Sequence, residues 1–142
     1  MAIALTNVQP GDKLPAVDFG RISRATLALY AGASGDHNPI HIDIDYARKA
    51  GVDDVFAQGM LSMGVLGRVV TAWAGIGRLA SLSTRFMAIT PVGVDLTCSG
   101  EVAERLDIDG VPHLRVALAA DITRDDGTTV RTLAGEALVR AD

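Results

Sequence analysis

Apolar residues follow two different periods along this chain, and the change between them divides it. Ser23 is a good helix N-cap, and Leu27, Tyr30 and Ala31 follow at helical spacing, so a short helix is predicted over 24–32. Gly32-Ala33-Ser34-Gly35-Asp36-His37-Asn38-Pro39 reads as a turn-rich loop. A second short helix is expected near 45–50, stopping at Gly51. From Gly59 to Ala74, Met60, Leu61, Met63, Val65, Leu66, Val69, Val70 and Trp73 cover every face of a helix. A helix that is apolar all round has to be buried on most sides. Gly64 and Gly67 weaken its helix propensity, which implies close packing against them.

Further on the period becomes two. Val94, Leu96, Cys98 and Val102 alternate with Asp95, Thr97, Ser99 and Glu101, and Leu114, Val116, Leu118, Ala120 and Ile122 repeat the pattern. Asp109-Gly110 and Asp126-Gly127 fall between apolar runs, where hairpin turns need positive φ. Stretches 79–90 and 128–140 read as further strands with weaker alternation. A buried helix followed by an antiparallel meander of about four strands predicts an α+β fold whose sheet wraps the helix.

Composition narrows the setting. The chain has 142 residues, 49% of them hydrophobic and 21% charged. That is a globular composition, and one domain over 1–142 is the expected organisation. A net charge of −4 argues against a nucleic-acid binder, which needs a basic surface to neutralise phosphates. The single cysteine, Cys98, excludes an internal disulfide and a cysteine-cluster metal site. The longest uncharged run, Val55 to Gly67, ends at Arg68, short of the ~18 residues a spanning helix needs. The start, Ala2-Ile3-Ala4-Leu5 before Gln9-Pro10-Gly11, has no basic opening and no long apolar core of an export signal. A cytoplasmic protein without a membrane span is expected.

Candidate chemistry crowds into one stretch. Asp36, His37, Asn38 and His41 lie around Pro39, with Asp43 and Asp45 just beyond. A carboxylate and an imidazole five residues apart can converge on one water or hydroxyl, as acid–base work at neighbouring atoms requires. On residue chemistry alone a plainer account stands beside it, in which Asp36 or Asn38 caps a helix and His41 is an ordinary histidine.

The longer string changes the reading. Tyr30-Ala31-Gly32-Ala33-Ser34-Gly35-Asp36-His37-Asn38-Pro39-Ile40-His41, with Ala47 after it, resembles the hydratase motif of the MaoC-like family. That family comprises (R)-specific enoyl-thioester hydratases and 3-hydroxyacyl-thioester dehydratases. The likeness runs on through Ala57-Gln58-Gly59-Met60, Val70-Thr71-Ala72-Trp73 and Arg85-Phe86. Within the family it resembles the catalytic subunits of mycobacterial-type 3-hydroxyacyl-carrier-protein dehydratases. The resemblance implies the hot-dog fold, a helix wrapped by an antiparallel sheet.

It also implies a set of roles. Asp36 and His41 form the catalytic dyad, and Asn38 helps to orient the water or hydroxyl. Gly59, opening the buried helix, offers its N–H to the thioester oxygen, where a helix N-terminus favours negative charge and glycine permits close approach. Ser62, one turn on, either meets the substrate or is a satisfied core serine. Gln58 replaces a histidine often found there, and its side chain is expected to stay outside the chemistry. The implied substrate is an enoyl or 3-hydroxyacyl thioester of coenzyme A or acyl carrier protein, with no cofactor and no metal. In dehydration His41 takes the C2 proton and Asp36 protonates the hydroxyl, although the reverse assignment stays open. A hot-dog thioesterase and a structural partner subunit are the alternatives. The working unit is expected to be a homodimer joined at sheet edges, with a heterodimer with a second hot-dog subunit as the other arrangement. His37 and His113 are read as surface residues, Cys98 as packing, and Asp53-Asp54 as a solvated loop.

Overall fold

The computed structural model describes residues 4–142, so Ala2 and Ile3 of the short apolar start lie outside the described residues. Strand β1 (Val17–Arg21) leads into helix α1 (Arg24–Ser34), whose Ser23 cap accepts from the Thr26 amide. Gly35, left-handed at φ 76°, ends α1. A 3-10 turn, Pro39–His41, and helix α2 (Ile44–Lys49) follow, the latter capped by the Asp43 side chain. Helix α3 spans Gly59–Ala74. Strands β2 (Leu79–Phe86), β3 (Asp95–Ile108), β4 (Val111–Thr123) and β5 (Thr129–Arg140) complete the chain. The three helices and the four later strands answer to the periodicities. The stretch 87–90 departs from the strand expected over 79–90 and is loop.

All pairings are antiparallel, in the order β1-β3-β4-β5-β2. Asp109 (φ 53°) and Gly110 (φ 80°) form the two-residue turn between β3 and β4, the type that matches strand twist. The pattern reading missed β1. It has five residues, and a register shift between Asp18 and Gly20 breaks any alternation.

Alternating side chains of the sheet supply one wall of the core: Leu96, Cys98, Leu114, Val116, Ile122 and Val139, each wholly shielded or nearly so. The opposite wall is the face of α3 bearing Leu66, Val69 and Val70, and α3 touches all five strands. Gly67 packs on Leu82, with its would-be Cβ 3.3 Å from that side chain, whereas Gly64 faces open space. Burial of α3 is also one-sided at its first turn, where Met60 stays 56% exposed. The apolar girdle of α3 is therefore wider than one sheet can cover.

Candidate active site

The motif loop hangs between α1 and α2, and local bonds give it its shape. Ser34 donates from its hydroxyl to the Tyr30 carbonyl and accepts from the Asp36 amide. Asp36 Oδ1 accepts from the Asn38 amide at 3.3 Å, and Asn38 Oδ1 accepts from the Ile40 amide at 3.1 Å. Asn38 thus caps the Pro39–His41 turn. With Pro39 setting one φ, these links turn His41 back toward Asp36.

The two side chains meet without bonding directly. His41 Nε2 lies 3.9 Å from Asp36 Oδ2. Two polar atoms at that separation can both hydrogen-bond to one oxygen placed between them, each at about 2.8 Å. The imidazole is nearly enclosed, at 11% side-chain exposure, while Asp36 is 45% exposed. One side of the pair is anchored in protein and the other is open.

Phe56 orients the ring. Its carbonyl lies 2.7 Å from His41 Nδ1, and its own ring packs against the imidazole edge-on at a centroid distance of 5.1 Å. A carbonyl only accepts, so Nδ1 carries the proton of this bond. In the neutral imidazole Nε2 then keeps a free lone pair, aimed toward Asp36. Phe56 also ties the loop to the segment that opens α3, three residues before Gly59.

Gly59 starts α3, so its N–H has no partner within the helix. A Cβ at this position would come within 2.8 Å of the Phe86 ring. Here glycine makes room for an aromatic side chain, a close approach different from the one expected with substrate. Phe86, Gly59, Phe56, Ala57, Ile89 and Leu133 border an apolar cavity of about 380 Å³. Phe56 links the two parts: it bonds His41 and it borders the hollow at Gly59.

Ser62 is buried one turn into α3, and among the described residues its hydroxyl has no hydrogen-bond partner, so it is not the satisfied core serine of one expectation. Gln58 is wholly buried, bonded through Nε2 to the Leu27 carbonyl at 3.2 Å. Outside the site three expectations change or sharpen. His113 is not at the surface: it is 8% exposed and bonds the Val111 carbonyl through Nδ1. Asp54 is more than loop solvation, because it pairs with Arg24 and accepts from the Val55 amide. The bond from Arg24 holds its carboxyl below the usual range. Cys98 does pack in the core, where burial pushes its thiol up to about 12 and leaves it unreactive.

Residues 6–121 match the family model described as the MaoC like domain. The chain belongs to the MaoC-like family. Two relatives and one solved structure illustrate its range. An (R)-specific enoyl-CoA hydratase of Rhodospirillum rubrum is 35% identical over 80 residues, 55% of this chain and 56% of that protein. The fatty acid synthase subunit beta of Aspergillus oryzae is 33% identical over 115 residues, 79% of this chain but 5% of that protein. The matched stretches are thus a small part of the synthase and about half of the hydratase. The unliganded R-hydratase PhaJ1 of Pseudomonas aeruginosa superposes with a TM-score of 0.75 at 28% identity, over 97% of this chain and 84% of that one. As a MaoC-like protein the chain has the hot-dog fold expected from its motif, with α3 as the wrapped helix.

Phe56 and Phe86 escaped the sequence reading as neighbours of the candidate residues. The Phe56 contribution is a backbone carbonyl, which no residue type advertises. Phe86 ends a weakly alternating strand, and only the sheet order brings it over α3.

Proposed function

We propose that this MaoC-like chain is a hydro-lyase interconverting trans-2-enoyl and (R)-3-hydroxyacyl thioesters. The observation that carries the reading is His41, bonded through Nδ1 to the carbonyl of Phe56, three residues before the start of α3, and holding Nε2 3.9 Å from Asp36 Oδ2. In dehydration His41 Nε2 takes the proton from C2. Charge builds on the thioester oxygen, where the Gly59 N–H and the α3 dipole stabilise it. The C3–O bond breaks as Asp36, in its acid form, delivers a proton to the departing hydroxyl, giving water. Transfer of the proton from imidazolium to carboxylate through that water restores the pair. Hydration is the same path reversed. Asn38 positions the loop through its cap and leaves its amide nitrogen to meet the water or hydroxyl. The cavity beside Gly59 receives the first carbons of the acyl chain, and the thiol half is coenzyme A or acyl carrier protein.

The working unit proposed is a homodimer. Strands β1 and β2 are the two edges of the sheet, and Met60, Phe86, Met87 and Ile89 near the end of β2 are each about half exposed or more. Edge strands with apolar flanks recruit another strand.

The decisive test is enoyl absorbance. Crotonyl and longer enoyl thioesters, on coenzyme A and on carrier protein, should lose absorbance with the protein and give (R)-3-hydroxy products. A folded protein that changes none of them contradicts the hydro-lyase reading. Release of free thiol without hydration identifies a thioesterase instead.

A further inference from the structure

Gln58 is wholly buried and stands at the N-cap of α3, yet its side chain caps nothing there. Among the described residues its side chain makes a single bond, from Nε2 across 31 residues to the carbonyl of Leu27, inside α1. That carbonyl does not depend on it, since the helical pattern already assigns it the Ala31 amide. The other half of the amide, Oε1, is buried without a partner among the described residues, a state that costs stability. An aliphatic side chain of the same length would leave no backbone group unpaired and no buried oxygen over. Local stability therefore does not account for a glutamine here.

Its placement does. The motif loop issues from the C-terminus of α1, and Gly59 is the residue after Gln58. Among the described residues, the other polar ties of α1 and the motif loop to the segment before Gly59 are the part-buried His41 bond to Phe56 and the exposed Arg24–Asp54 pair. Solvent screens an exposed pair, and a bond in a dry core holds its length far better. We propose that Gln58 is a positioning residue: by holding α1 against the start of α3 it sets the distance between the Asp36–His41 pair and the Gly59 amide. This rests on the hydro-lyase reading of those three groups. A displacement of about 1 Å between reacting groups is enough to cost a large factor in rate.

The test compares wild type with Gln58→Met and Gln58→Leu in three measurements. These are kcat and KM on crotonyl-CoA, the thermal midpoint, and the NMR titration of the His41 ring, assigned with His41→Gln. The expected result is a midpoint equal to or above wild type, kcat lowered about tenfold, KM within about twofold, and a shifted His41 signal. A merely structural bond predicts the opposite pattern, a lower midpoint with unchanged kcat per folded molecule and an unmoved His41 signal. That result overturns the proposal, as does wild-type behaviour in all three measurements. If wild type hydrates no enoyl thioester, the catalytic reading fails, and the His41 titration still decides whether Gln58 sets the position of the ring.

Discussion

One backbone bond settles which nitrogen of His41 can act. The Phe56 carbonyl takes Nδ1–H, so the reactive lone pair belongs to Nε2 and faces the open side of the site. Asp36 has the complementary position, its Oδ1 used by the Asn38 amide and its Oδ2 turned to the same gap. Loss of a general acid or base lowers turnover by two to four orders of magnitude, so Asp36→Asn and His41→Ala should each reduce it by about a hundredfold or more. An asparagine at 36 keeps an Oδ1 for the Asn38 amide, and the loop's other links come from Ser34, Asn38 and Pro39, so circular dichroism should find both variants folded. Near-normal turnover in either variant removes that residue from the mechanism.

Between elements, one close approach in the sheet is where β2 meets β5. Gly135 pairs with Thr84, and a Cβ on Gly135 would lie 2.9 Å from Thr84 Cγ2, 3.2 Å from Thr84 Cα, and closer still to the Ser83 carbonyl oxygen. Two of these three atoms are backbone and cannot swing aside. Gly135→Ala should therefore push β2 from β5 and lower stability by about 1–3 kcal/mol, the usual cost of overpacking. Urea unfolding followed by circular dichroism checks this, and an unchanged midpoint refutes it. The effect should reach the site, because β2 ends in Phe86, whose ring covers Gly59. Residual turnover should fall along with stability.

For the whole molecule, the open question is what covers the apolar end of β2. Light scattering should find a homodimer at assay concentration, because Phe86, Met87 and Ile89 together form a large apolar strip beside an unpaired edge. An active monomer contradicts edge-to-edge pairing. Poorly soluble or inactive protein rescued by a co-expressed hot-dog subunit points to a heterodimer. Among the described residues no helix is long and apolar enough to cross a membrane.

Local physics was sufficient for most elements. The Ser23 cap, the apolar girdle of 59–74, the alternations after Val94 and the Asp109-Gly110 turn depend on neighbours in sequence, and each appears in the fold where its pattern placed it. The Asp36–His41 stretch stood out through its resemblance to the family motif. Spacing alone left a capping loop with an ordinary histidine open, and the 3.9 Å approach of the two side chains came from the structure. Strand β1 was not legible, since a short edge strand with a bulge has no period of its own and exists through its pairing with β3. Neither was the tautomer of His41, the burial of His113, the fit of Phe86 on Gly59 or the tie from Gln58 to Leu27. Each of these depends on what a distant segment places beside the residue. Periodicity and capping read short-range geometry, while the direction of a lone pair is decided by contacts between segments, and those exist only once the sheet has closed around the helix.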